Sequence, residues 1–336
     1  MERFRYRDFD RTKEETEMKK EYGMAAFTIF CWSTMAPVSK LLLGGLSNME
    51  VLCYGSAVAA VVLFLVILFQ GKWEMLLQYT CGDYLKLICI GFFGYFLYSS
   101  FYYYGLSVLT SQTACILHYL WPLFTVCFSC LLLRERFSAG KLVALLLSFA
   151  GVAVVVLHPG EAGAAAGAGT STGVGTVTGA GVIAEAVGTA AEIRILGYLS
   201  CILAAGLYGS FNVLNKKKGG DPLINMFLYL TVGAVCAFFC CLFGGWELPA
   251  AMTPGQIAGL LWLGIFINAA GFLLWAMALQ GTDAAAIANF AYATPVVSLL
   301  FSYILLNEPL HLTSFAGLFL ILAGVFLQLW EEKHVG

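Results

Sequence analysis

Residues 114–128 read ACILHYLWPLFTVCF, so a histidine, a tyrosine, a tryptophan and a proline stand mid-way along an apolar run. His118 is a titratable ring four residues before Pro122, and Pro122 has no N–H to give to the carbonyl of His118. Pro295 likewise frees the carbonyl of Ala291, beside Tyr292. Buried backbone left open in this way survives in an apolar setting only where it faces protein or water. The spacing therefore predicts kinks at Pro122 and Pro295 that present carbonyls, and the hydroxyls of Tyr119 and Tyr292, to a small molecule. His118 has no histidine counterpart. It serves as a neutral donor–acceptor or, if it titrates, as a proton carrier.

Other polar groups fall on stripes with helical spacing. Tyr95, Ser99 and Tyr102 make one, with Tyr98 alongside. Tyr208, Asn212 and Asn215 make another, matched by Trp32, Ala36 and Ser39. Asn268, Phe272 and Trp275 form a third, and Asn289 and Tyr292 are three apart. Converging rings and amides are the usual make-up of a small-molecule cavity; the bland alternative is helix packing through interhelical hydrogen bonds. Trp121 joins Trp32 and Trp275 as a mid-span candidate, whereas Trp73, Trp246 and Trp330 lie at span ends and suit interfacial anchors. Glu135 and Glu308 close equivalent helices, where capping or packing is favoured over substrate contact.

These residues need elements to hold them, and composition says which. Of 336 residues 60% are hydrophobic and 11% charged, with a mean hydropathy of +0.83. Apolar runs of about 20 residues suffice to cross a ~30 Å hydrocarbon core. Ten spans are expected, at about 22–44, 49–70, 84–106, 110–132, 138–157, 195–216, 223–244, 256–279, 283–305 and 312–330. Seven of the eighteen Lys and Arg residues lie in the first twenty positions. With ten spans, sixteen of the eighteen fall on one face, leaving only Lys40 and Arg194 on the other. By the positive-inside bias both termini are cytoplasmic. The opening is too charged for a cleavable signal peptide.

The charge balance of −2 gives no sign of nucleic-acid binding. Ten of the eleven cysteines fall in expected spans, and the lone Cys127/Cys130 pair suggests neither a disulfide framework nor a metal site. No zinc-spaced histidine pair or nucleophile triad is visible, so no cofactor and no enzyme activity are expected. The absence of a mid-span carboxylate argues against proton-driven export of cationic drugs. The absence of a cluster of intramembrane cations weakens sugar-phosphate and nucleotide-sugar readings.

Residues 158–193 are rich in Gly and Ala and read as an external linker. On its two sides the chain repeats. Shifted by 173, residues 119–152 match at twelve of 34 positions, including Tyr119/Tyr292, Pro122/Pro295, Ser129/Ser302, Glu135/Glu308 and Gly151/Gly324. A shift of 176 pairs CWSTMAPVSK with LYGSFNVLNK. Five spans per copy make the second copy enter from the opposite face, an inverted repeat with its site at mid-membrane.

Two five-helix halves, each ending its fourth helix with P…LLL-x-E and its fifth with AGV, resemble the drug/metabolite transporter superfamily in its EamA-type branch. The domains are then a charged tail (1–21), a first EamA-like repeat (22–157), the linker (158–193), a second repeat (194–330) and a short cytoplasmic tail (331–336). The resemblance implies a multi-pass protein of the cell membrane, a monomer or homodimer. It would export a small metabolite by alternating access, with proton coupling left open. A neutral or zwitterionic amino acid, aromatic given so many rings, suits the stripes. An intramembrane enzyme or a receptor or scaffold are the rival classes; within transporters, sugar, nucleotide-sugar or drug export are the alternatives.

Overall fold

The computed structural model describes residues 19–133, 139–157, 190–244, 252–278, 291 and 293–335. Its helices are α1 (Lys19–Leu43), α2 (Asn48–Phe69), α3 (Cys81–Val108), α4 (Ser111–Leu132), α5 (Ala139–Leu157), α6 (Ala190–Lys218), α7 (Pro222–Phe243), α8 (Pro254–Trp275), α9 (Ala293–Leu306) and α10 (Leu312–Val335). Among the described residues seven of these are long and apolar enough to cross a membrane, and α5, α9 and α10 contain shorter apolar stretches. Large side chains such as Phe69, Phe243 and Phe319 point outward, as lipid contact requires.

The starts of the helices are written locally. Ser47 with Glu50, Thr80 with Asp83 and Thr253 with Gln256 form capping boxes at α2, α3 and α8. Asp221 accepts from the Leu223 and Ile224 amides while Pro222 opens α7 without an N–H to satisfy. The link before it, Gly219–Gly220, has φ of 62° and 95°, a left-handed pair that glycine adopts without strain.

The two halves pack as an antiparallel pair. Ser148 of α5 donates to the carbonyl of Ile321 in α10 (3.4 Å), and these positions are 173 apart. Three residues after Ser148, Gly151 faces Gly317, four residues before Ile321, so the helices run in opposite senses through that point. The same reciprocity joins α3 to α7 and α8 to α2. Gly91 backs onto Tyr229 and Val232; Gly264, its counterpart at +173, backs onto Gly55 and Val58. A methyl on Gly264 would come within 2.5 Å of Val58, which is why only glycine fits there.

Beside both glycines the helix widens into π turns, at Phe92–Leu97 and at Trp262–Gly271. Such turns cluster at functional sites, and no local sequence signal announced these. Two further differences from expectation stand out. The 70–86 connection contains a short helix, Trp73–Gln78. Helix α10 continues through the residues expected as a tail, because Glu331, Glu332 and Lys333 are good helix formers. Most of the linker, and all but the end of the charged N-terminal tail, lie outside the described residues.

Charges sort to two ends. Lys72 pairs with Asp221 at 2.7 Å and Lys218 with Asp83 at 3.7 Å, tying the 70–86 connection to the 216–222 turn at one end. At the opposite end Lys40 donates to the carbonyls of Leu106 (2.6 Å), Ser107 (3.3 Å) and Leu109 (2.6 Å), capping the C-terminus of α3.

Candidate functional site

A cavity of about 270 Å³ opens between the halves. The first half contributes Trp32 from α1, Leu63 from α2 and Trp121 from α4. Helix α6 adds Tyr208, Phe211, Asn212 and Asn215, the face that its i, i+4, i+7 spacing turns one way. Helix α7 supplies Pro222, Leu223, Asn225, Met226 and Tyr229, and α8 supplies Phe272, Leu273 and Trp275, with Ala291 beside them. The lining reaches the 216–222 turn, so the cavity lies toward the Lys-rich end.

Rings dominate its walls. Trp32 lies 5.4 Å from Trp275 and 5.3 Å from Phe272, centroid to centroid. Opposite them Tyr208 meets Trp121 edge-on at 5.3 Å and stacks beside Phe211 at 5.9 Å. The Trp32 indole N–H is already given to the carbonyl of Ile267 (3.3 Å), so this ring offers a face and not a donor. Three amides carry the polarity. Tyr229 donates to Asn215 Oδ1 at 3.0 Å and Asn225 Nδ2 donates to Gly219 at 2.9 Å, which fixes how both amides point. Asn212 Nδ2 and Asn225 Oδ1 are buried without a partner. Among the described residues no charged side chain lines the cavity. Such a wall suits an apolar or aromatic body with one or two neutral polar groups, since an unpaired charge there would be costly.

Of the residues expected from sequence, Trp32, Asn212 and Trp275 line this cavity, as does Trp121. Tyr95, Ser99, Tyr102, Tyr119 and Asn268 do not; each is under 8% exposed and packed between helices. Tyr95 hydrogen-bonds to Ser56 (3.0 Å) against Gly233, while Asn268 lies next to Gly55. His118 sits behind the cavity wall, partly exposed, against the rings of Tyr102 (4.8 Å), Tyr98 (5.3 Å) and Tyr208 (5.6 Å). Its Nδ1 is buried and unpartnered. Asn289, Tyr292 and Glu135 lie outside the described residues. The face of α7 escaped sequence reading, although Pro222, Met226 and Tyr229 at i, i+4, i+7 were its signal.

The proline at 122 breaks α4 just ahead of itself: the helix stops at His118 and restarts at Trp121. The expectation that the Ala291 carbonyl awaits a substrate is overturned. Tyr119 donates to it at 3.1 Å, as does the Thr294 amide at the same distance. A hydroxyl already in reach satisfies the group that Pro295 releases. Pro295 is the third residue of α9, and residues 279–290 and 292 ahead of it, with the kink expected there, lie outside the described residues.

Glu308 is a cap. Its carboxylate accepts from the Ser111 amide (2.8 Å), the Ser111 hydroxyl (3.0 Å) and the Gln112 amide (3.1 Å), at the positive end of α4. Gln112 returns bonds to the carbonyls of Glu308 and Pro309, both at 3.1 Å. This buried clasp joins the halves at the end away from the cavity mouth.

The EamA-like transporter family matches the chain twice, over residues 19–157 and 195–330. An "Uncharacterized transporter" of Archaeoglobus fulgidus is 28% identical over 315 residues, covering 92% of this chain and 98% of the relative. The "Uncharacterized transporter YvbV" of Bacillus subtilis is 28% identical over 234 residues, covering 68% of this chain and 66% of its own. A solved crystal structure shares the fold with a TM-score of 0.62 at 19% identity, over 94% of this chain and 98% of that one. Two family matches in one chain agree with the doubled packing of the helices. The chain is a multi-pass membrane protein of the EamA-like transporter family, within the drug/metabolite transporter superfamily.

Proposed function

We propose that this transporter exports a small metabolite without net charge, neutral or zwitterionic, by alternating access through the cavity between its halves. Amino acids with aromatic side chains are the first class to test. The observation that carries the reading is the lining: among the described residues, seven aromatic side chains, three asparagines and no charged side chain, drawn from both halves. Rings hold a flat or apolar body through burial and edge contacts. The amides supply orientation without demanding a counter-ion.

The test is solute counterflow in proteoliposomes holding the purified full chain. Phenylalanine and tryptophan loaded inside should drive uptake of their labelled forms, whereas lysine and glutamate should not. Counterflow by lysine or glutamate in preference to the neutral pair contradicts the substrate class; absence of counterflow by any small solute contradicts the transport reading. An imposed pH gradient in the same vesicles tests whether protons drive the flux.

A further inference from the structure

Two of the polar stripes are copies of one another. Tyr95, Ser99 and Tyr102, moved by 173, become Asn268, Phe272 and Trp275. In the structure Phe272 and Trp275 border the cavity. Their counterparts Ser99 and Tyr102 are closed in, 3% and 2% exposed. Ala291 borders the cavity too, while its counterpart His118 stands one layer behind, its Nδ1 buried with no partner. Trp32 and Tyr208, paired by the 176 shift, both line it. Apart from that pair the lining is one-sided, since Met35, Ala36 and Ser39, the counterparts of Phe211, Asn212 and Asn215, are not part of it.

We infer that Ser99, Tyr102 and His118 are the walls of a second cavity, which forms when the Glu308 end opens and the Lys-rich end closes. The inference rests on the alternating-access reading above and deepens it. Halves of one fold that enter the membrane in opposite senses can exchange conformations, each taking the shape the other held. On exchange, the positions of α3 take the places now held by those of α8, and His118 takes that of Ala291. An unpartnered buried imidazole nitrogen is costly in a single rigid state; a chain that visits a second state in which that nitrogen meets water or ligand pays less for it.

The two walls differ in chemistry. The present one offers Phe272, Trp275 and Ala291; the exchanged one offers a hydroxyl, a phenol and an imidazole. Rings at 32 and 208 serve both. The ligand is therefore a small molecule with an aromatic body, held by stacking in either state, and with a hydrogen-bonding group that finds partners chiefly in the state open at the Glu308 end. The clasp of Glu308 on Ser111 and Gln112 holds that end shut.

The test is labelling by a membrane-impermeant maleimide in right-side-out and inverted vesicles, with Lys217→Cys marking the Lys-rich face. Peptide mass spectrometry reads each site separately, so the eleven native cysteines remain. Phe272→Cys should react from the Lys-rich face. Ser99→Cys should react at least about tenfold faster from the other face than from the Lys-rich one. Adding Glu308→Gln should raise labelling at 99 and lower it at 272. The inference is overturned if position 99 stays unlabelled from both faces in both backgrounds, or labels from the same face as 272. Failure at 99 with 272 still reactive leaves the present cavity intact, and counterflow judges the transport reading separately.

Discussion

At the scale of residues, ring faces and asparagine amides make the cavity wall, and a tyrosine hydroxyl closes a carbonyl beside it. Trp32, Asn212 and Trp275 line the cavity because helical spacing turns them inward together with their neighbours. Tyr119 was legible as a polar group beside a proline, but its target was not, because the bond to Ala291 spans 172 positions and depends on how α4 meets the chain ahead of α9. Tyr119→Phe should lower Tm, by roughly 1 kcal/mol of lost stability, since the Thr294 amide still covers that carbonyl. An unchanged Tm would mean that the hydroxyl contributes nothing there. Trp275→Leu removes a ring from the cavity wall and should weaken an aromatic substrate by roughly three- to tenfold, on the order of 1 kcal/mol of ring contact, as measured by half-saturation in counterflow. The same affinity in the leucine variant would take Trp275 out of the site.

Among elements, caps and termini were the most local features, and four-residue patterns such as SNME, TCGD and TPGQ account for three helix starts without tertiary help. The π turns at 92–97 and 262–271 were not legible: each depends on a glycine backing onto a helix of the other half. Gly264→Ala should overpack that crossing and cost roughly 1–3 kcal/mol, read as a fall in Tm that Val58→Gly in the same chain, which removes the Val58 Cβ 2.6 Å away, partly offsets. No rescue would place the strain elsewhere. The turn at Asp221 adds a pH dependence. Burial alone pushes this carboxyl up, yet its bonds to Lys72 and to the Ile224 and Leu223 amides prevail and hold it below the usual carboxylate range. A carboxyl depressed in the folded state adds stability at neutral pH that is lost as pH falls through its folded pKa. Asp221→Asn keeps a capping side chain and loses the ion pair, so it should flatten that acid-side decline while costing at most about 1 kcal/mol at neutral pH. A decline identical to that of the parent protein would assign it to other groups.

For the whole molecule, the repeat was the most informative feature of the sequence. A shift of 173 that matches Tyr119, Pro122 and Gly151 to Tyr292, Pro295 and Gly324 also relates Ser148 to Ile321, which touch in the folded chain, and Gly91 to Gly264, each of which backs onto a helix of the other half. Which end stands open was not legible, because two exchanged arrangements satisfy the same repeat. The clasp at Glu308 and the cavity near Pro222 answer that for this conformation. Spin-label distances across both ends test the central claim most directly, with labels attached through an orthogonal chemistry that spares the cysteines. One pair sits at Ser107 and Leu310, the other at Gln78 and Met277, each pair with one label in either half, in the full chain in lipid nanodiscs. Two populations are expected, in which a long 107–310 distance accompanies a short 78–277 distance, and Glu308→Gln shifts weight toward that state. Distances that stay single at both ends in the parent protein and in the glutamine variant would contradict alternating access between these halves.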